Sequence, residues 1–377
     1  MRQMNLIPSA NVGVKINEWY HHINKFDHEN AEKLKSEITE MIDSMEEDQD
    51  LLIYYQLMLF RHYLMMSYLF PSDSTKKLEK WQYLKESEGK SQKITKLMEY
   101  YANFFEGMYH FSEGDYINAI QSYKKAEKRI YKVRDRIEKA EFYYKLAEVY
   151  YHMKQTHVSM FYVQKAYEIY SKEDTYSIRK IHCLFVIAGN YVDLETHEKA
   201  LPHIKKCLTT ARIIDNKPII TKALINMGLC YNKLNEPETA AKYFLEAADM
   251  AKTIKAKELT QAYYDLALIR FKQDKTLPAL EFFERAYKSA KAFKDDFFMI
   301  LLNVLKAIFI DKLDREGILL ALEPLRNERG YPYFEELALE AAEFYTKKER
   351  MDDSVFFFRQ MVDAQKQIQR GDFLYEI

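Results

Sequence analysis

Apolar side chains recur every three to four residues through most of this chain, the period of helices with one buried face. Near the N-terminus the pattern predicts three helices. The first runs from about Val12 to Phe26, with Val14, Ile16, Trp19, Tyr20 and Ile23 on one stripe. The second runs from about Asn30 to Met45, with Ala31, Leu34, Ile38 and the Met41/Ile42 pair at helical spacing. The acidic run Glu46-Glu47-Asp48-Gln49-Asp50 then intervenes, and Asp48 or Asp50 is placed to cap a third helix from Leu51 to about Phe70. That third helix is apolar nearly all round, so it is expected to be covered on several sides or to offer an apolar face to a partner. Gln56, Arg61 and His62 in its middle argue against a membrane span.

From about Ile94 onward a longer period takes over. A small residue is followed by a second 12 positions later and a third 19 positions later: Gly107/Ala119/Ala126, Ala147/Ser159/Ala166, Ala188/Ala200/Cys207, Gly228/Ala240/Ala247 and Ala267/Ala279/Ala286. Successive triplets are 40, 41, 40 and 39 residues apart. A weaker copy starts at Ala342, with Ser354 in its second slot and Met361 in its third. Small residues at such offsets let the two helices of a hairpin approach closely, which is the tetratricopeptide pattern. The stretch from about Phe297 to Tyr331 has lost it, with Gly317, Pro324, Gly330 and Pro332 as punctuation. The expected fold is therefore all-α: a three-helix bundle over residues 1–72, a polar linker over 73–93, and a right-handed superhelix of tetratricopeptide repeats over 94–377.

Composition narrows the function. Nine Gly and eight Pro are few for 377 residues, against a β-rich or loop-rich fold. Lys and Arg number 56 against 57 Asp and Glu, so the chain lacks the global positive field of a non-specific nucleic-acid binder. A helix-turn-helix does not fit either, because the second and third helices are joined by acidic residues and the third is apolar. Cys183, Cys207 and Cys230 are far apart in apolar contexts and read as core. His21 and His22 are adjacent and diverge on a helix, unlike a metal pair. No phosphate-binding glycine loop, H-E-x-x-H or C-x-x-C occurs. Met1 to Gly13 has no apolar core for a cleavable signal, so a cytosolic location without membrane contact is the expectation. Spacing alone ends at a helical-repeat protein that binds something.

Particular residues point further. The runs Val12-Gly13-Val14-Lys15-Ile16-Asn17-Glu18-Trp19-Tyr20, Met45-Glu46-Glu47-Asp48-Gln49-Asp50-Leu51-Leu52 and Phe60-Arg61-His62 resemble the N-terminal bundle of the Rap proteins. So do Leu97-Met98-Glu99-Tyr100-Tyr101, Gly107-Met108-Tyr109, Arg136-Ile137-Glu138-Lys139-Ala140-Glu141-Phe142 and the run from Val149 to Thr156 in the repeats. These are response-regulator aspartate phosphatases and related binders of spore-forming Gram-positive bacteria, and the resemblance covers essentially the whole chain.

The resemblance implies a bundle that acts on a response-regulator receiver domain and repeats that bind a short imported Phr-type peptide. Some members remove the aspartyl phosphate from the receiver protein of the sporulation phosphorelay. Others block DNA binding by a competence-type response regulator without catalysis. The family's catalytic glutamine matches Gln49, which can orient a water through its amide but cannot act as a general base at neutral pH. The receiver would supply the divalent metal, so this chain needs no cofactor of its own. Asp48, Leu52, Tyr55, Leu59 and Phe60 are the candidate receiver-docking residues. Tyr151, Gln155, Asn190, Asp193, Asn226, Tyr231, Gln261, Tyr264 and Asp265 are the inner-helix candidates for the peptide, because amide and carboxylate groups can pair with an extended backbone. An acidic Asp193 or Asp265 would favour a peptide carrying Arg or Lys. The linker from Pro71 to Gln92 would be the hinge on which peptide binding draws the bundle onto the repeats and hides Gln49. Phosphatase, non-enzymatic antagonist and general scaffold all remain open from sequence.

Overall fold

The computed structural model describes residues 6–69, 96–327 and 330–369; the expected linker lies outside them. The described residues fall into two compact units, Met1–His152 with Val158–Cys183, and Met153–His157 with Leu184–Ile377.

In the first unit the bundle helices are α1 (Ser9–Lys25), α2 (His28–Ile42) and α3 (Gln49–Leu69). Helix α1 stops where Phe26 turns left-handed, and Asp27 then caps α2 by accepting the Asn30 N–H. Helix α3 starts two residues earlier than expected because Asp48, and not Asp50, accepts the Leu51 N–H at 3.0 Å. Val14 is corrected as well. It is exposed, and Val12, Ile16, Trp19 and Ile23 form the buried stripe. The apolar α3 is covered by α1, α2 and the first repeat helix, α4 (Lys96–Ser112). One polar chain ties the three bundle helices: Trp19 Nε1 donates to His62 Nδ1 at 3.2 Å, and His62 Nε2 lies 2.8 Å from Glu32. Burial pulls the His62 imidazole down to about 4, against the favourable Glu32 contact.

The same unit holds α5 (Tyr116–Glu127), α6 (Arg136–His152), α7 (Thr156–Ser171) from Val158 onward and the start of α8 (Ser177–Asp193). The small-residue rule has a direct cause. A methyl group at Gly107 would sit 2.4 Å from the Tyr123 ring, so only glycine lets α5 close on α4. In the next hairpin Ser159 fills the slot and donates to the Ala147 carbonyl at 2.9 Å.

A buried polar node joins bundle to repeats inside this unit. Glu138 on α6 accepts Tyr20 Oη of α1 at 2.5 Å and Tyr100 Oη of α4 at 2.8 Å. One turn on, Glu141 accepts Arg61 of α3 at 3.3 Å, Arg179 of α8 at 2.5 Å and Tyr170 Oη at 2.9 Å. Burial raises the Glu138 carboxyl to about 7, the two tyrosine hydrogen bonds oppose this, Glu141 adds to it and Arg61 opposes it. A carboxyl raised in the folded state gives stability that is full below its unfolded value and lost as pH rises through about 7. A displacement of this size is worth roughly 3 kcal/mol. The melting temperature is therefore expected to fall between about pH 5 and about pH 8, and to fall less in Glu138→Gln. Parallel melting curves for the two proteins across that range would contradict the assignment.

The second unit continues with α9 (His197–Ile213), α10 (Lys217–Lys233), α11 (Pro237–Ile254), α12 (Glu258–Lys272) and α13 (Thr276–Phe293). The expected irregular stretch is α14 (Asp296–Leu305), which loosens into a π-helix at 306–310, and a short α15 (Arg315–Leu322). A last hairpin, α16 (Tyr331–Lys347) and α17 (Met351–Gln369), follows. The hairpin turns pass through a left-handed residue: Lys154, Glu195, Asn235, Asp274 and Glu349, with φ between 55° and 60°. Cys207 and Cys230 are buried, and burial pushes their thiols up to about 12 and about 11. In this unit α10, α12, α14 and α16 touch in series, so the first helices of successive hairpins form one layer. No helix among the described residues is long and apolar enough to cross a membrane.

Candidate functional site

The turn between α2 and α3 is built from both sides. Backbone atoms of Ile7 pair with it: Ile7 N–H donates to Ser44 at 2.8 Å, and Glu46 N–H donates to Ile7 at 2.9 Å. The Asp48 cap fixes the far side, and the Asp48 carbonyl accepts the Leu52 N–H at 3.0 Å. Gln49 is thereby the first residue of α3, exposed, its amide 3.5 Å from Glu47. Asp48, Leu52 and Leu59 are half-buried.

Tyr55 and Phe60 are corrections, because both are core residues with no face to offer a partner. Tyr55 packs on Trp19 with ring centroids 6.1 Å apart, and its hydroxyl lies 2.9 Å from Thr39 of α2. Phe60 faces Tyr109 of α4 at 6.2 Å. Exposed apolar surface near the turn comes instead from Leu6, next to the paired Ile7, and from Val14. Val14 was misplaced on the buried stripe although it lies off the spacing of Val12, Ile16, Trp19 and Ile23, a signal that could have shown it exposed; the Ile7 pairing had no signal in the sequence. Packing of the bundle on the repeats also leaves Gln49 open. Arg61, which makes that contact, lies twelve residues along α3, about 18 Å away.

The second unit collects most of the peptide candidates on the first helices of its hairpins: Asn190 and Asp193 on α8, Asn226 and Tyr231 on α10, and Gln261, Tyr264 and Asp265 on α12. Asn190 is fully buried and Asn226 and Gln261 are half-buried. Asp193 is held by Lys154 at 2.7 Å. Tyr231 stacks on Tyr243 at 5.4 Å, and Tyr264 is buried edge-on to Phe298. Gln155 is a correction: it sits in the turn after left-handed Lys154 and not on an inner helix. Tyr151, half-buried at the end of α6, belongs to the first unit.

Asp265 is chemically distinct. The residue is half-buried, but its Oδ2 is inaccessible and has no hydrogen-bond partner among the described residues. Burial holds its carboxyl well above the usual range; Glu336 adds to the effect and Lys233 opposes it. Lys233 itself bridges to Glu336 of α16 at 3.1 Å, and Lys272 of α12 reaches Glu340 at 2.7 Å. Glu336, Glu340 and Lys233 escaped the sequence reading because charges at helical spacing resemble a wet outer face. Among the described residues no cluster of side chains is arranged to hold a metal ion.

A three-helix bundle with an exposed, capped glutamine turn, followed by tetratricopeptide hairpins with a polar inner layer, defines a helical-repeat binding protein. Comparison with known proteins makes this specific. Residues 6–67 match the family model for response regulator aspartate phosphatase H, N terminal, and residues 140–173 and 221–253 match the tetratricopeptide repeat. The chain is 49% identical to Response regulator aspartate phosphatase E of Bacillus subtilis (strain 168), over 98% of this chain and 99% of that protein. It is 43% identical to Response regulator aspartate phosphatase A of the same organism, over 100% of both. A crystal structure of a Rap protein complexed with Competence and Sporulation Factor superposes with a TM-score of 0.86 at 35% identity, covering 97% of this chain and 100% of that one. The apo form of RapI gives 0.74 at 32% identity, covering 96% and 99%. The chain belongs to the Rap family.

Proposed function

We propose that this chain is a peptide-regulated phosphatase that removes the aspartyl phosphate from a receiver domain of the sporulation phosphorelay type, in the cytoplasm. The observation that carries the proposal is the exposed Gln49, pinned by the Asp48 cap and the Ile7 pairing at the mouth of α3. A rigid turn holds the amide where it can accept from and donate to a water in line with phosphorus, which is positioning catalysis. Asp48, Leu52, Leu6 and Val14 supply a mixed polar and apolar rim for the receiver. The receiver brings the phosphoryl group and the divalent metal, so this chain contributes orientation alone. No step calls for nucleic acid or membrane. The test is the rate of aspartyl-phosphate loss from a phosphorylated receiver with and without the protein; an unchanged rate sinks the proposal.

Control by a short Phr-type peptide rests on the inner layer of α8, α10 and α12. Asn226 and Gln261, both half-buried, would pair with peptide backbone, and the half-buried Asp265 would take a cationic side chain. Asp265→Asn is expected to weaken binding of an Arg-containing peptide by about tenfold to 100-fold. Asp193→Asn is expected to cost less, because Asp193 is already paired with Lys154. Equal losses in calorimetric titration would contradict the assignment of Asp265. A second reading, antagonism of a competence-type regulator without catalysis, draws on the relatives named only Regulatory protein RapF and RapC, at 36% and 39% identity.

A further inference from the structure

In a stacked repeat array each repeat ordinarily touches only its neighbours. Three ion pairs of the second unit depart from this by skipping helices of its first-helix layer. Lys272 of α12 reaches past α14 to Glu340 of α16 at 2.7 Å and lies 3.7 Å from Glu343. Lys347, the last residue of α16, meets Asp274 in the turn after α12 at 3.3 Å. Lys233, the last residue of α10, meets Glu336 of α16 at 3.1 Å, past both α12 and α14.

That last pair fixes which side of the layer it lies on. In a flat layer three helix-to-helix steps would hold α10 and α16 about 24–30 Å apart, further than a lysine and a glutamate can reach. The layer therefore curves, with Lys233 and Glu336 on its concave side, and their ion pair closes that side as a clasp. Burial first, then Glu336, push the Asp265 carboxyl up and Lys233 pulls it down, so Asp265 of α12 lies within range of both ends of the clasp. Acid outnumbers base here. Asp265, Glu336, Glu340 and Glu343 face Lys233 and Lys272, and Lys272 is taken up by Glu340 and Glu343. Lys233 alone answers Glu336, through side chains that are 48% and 41% exposed. So open a pair is weak and readily exchanged.

We propose that the Lys233 ammonium is a built-in competitor of the regulatory peptide: it holds on Glu336, beside Asp265, the place that a lysine or arginine side chain of the peptide takes. The proposal rests on the reading of this layer as the peptide site. A cationic peptide exchanges one ion pair for another, and Lys233 swings into water. A neutral side chain has no claim on Glu336 and leaves the clasp closed. Lys233 thus sets the concentration at which a cationic peptide is felt.

The test is equilibrium dialysis of the full chain against random short peptides with arginine fixed at each position in turn, and against matched mixtures with uncharged citrulline there. Mass spectrometry measures what is held, and circular dichroism confirms the fold of each variant. Wild type is expected to hold some arginine mixture above its citrulline match. Lys233→Met is expected to raise binding of that mixture by about fivefold and to leave citrulline unchanged. Lys242→Met, at an exposed lysine of α11, is expected to do nothing. In a Glu336→Gln background the gain from Lys233→Met is expected to vanish, because the contested carboxylate is gone. An arginine preference that Lys233→Met leaves unchanged would overturn the competitor and leave the cationic subsite standing. A gain that persists with Glu336→Gln, or that extends to citrulline, would overturn it as well. If neither wild type nor Lys233→Met distinguishes arginine from citrulline, the cationic subsite at Asp265 falls, and the competitor with it.

Discussion

Replacing Glu141 by alanine is expected to destabilise the protein by about 3–5 kcal/mol, the cost of stranding buried charge. Glu141 is wholly buried, and so are Arg61 and Arg179, which share its Oε1. The Nε atoms of both arginines already lack acceptors among the described residues, and the Asn24 Oδ1 that Arg61 also meets lies at 3.5 Å, too long to replace a carboxylate. The Tyr170 hydroxyl would lose its acceptor as well. Glu141→Gln keeps a hydrogen-bonding carbonyl but removes the charge, and is expected to recover only part of the loss. Chemical unfolding monitored by circular dichroism measures both. A Glu141→Ala protein within about 0.5 kcal/mol of wild type would show that the node is dispensable. The consequence is also functional, because Arg61 belongs to the helix that carries Gln49. Loss of the node is expected to free the bundle from α6 and to blunt inhibition by peptide.

Replacing Gln49 by alanine is expected to slow receiver dephosphorylation by about 100-fold, the usual penalty for losing the group that positions a reacting molecule. Binding of the receiver should change little, since an exposed amide at the start of a helix contributes mainly orientation. Gln49→Glu is a sharper probe. A carboxylate at that position would repel the phosphoryl oxygens and could accept a proton from water but not donate to it. If catalysis needed only a base, Gln49→Glu would retain activity; the positioning account expects it to be as slow as alanine.

The repeat architecture could be read from the chain because its cause is local and periodic. Gly107 and Gly228 are small because Tyr123 and Phe244 occupy the space a side chain would need, and the 12- and 19-residue offsets of small residues recur in every intact hairpin. The irregular segment was equally legible, since it lost the small residues and gained prolines and glycines. The site was legible in part. Resemblance singled out Gln49, and the structure gives it an exposed place at a capped helix start. Tyr55 and Phe60 were misread because an all-round apolar helix does not reveal which side has a neighbour. Gln155 was misread because a boundary of two or three residues decides whether a side chain lies on a helix or in the turn. The Ile7 pairing and the Glu138–Glu141 node depend on segments far apart in sequence, and no local pattern encodes such contacts.

The most direct test of the account is the decay of a purified phosphorylated receiver mixed with excess protein, wild type against Gln49→Ala, at concentrations where both bind fully. The account predicts rapid loss of phosphate with wild type and about 100-fold slower loss with the variant. Equal decay with the two proteins, or decay no faster than the receiver alone, would contradict catalysis by Gln49.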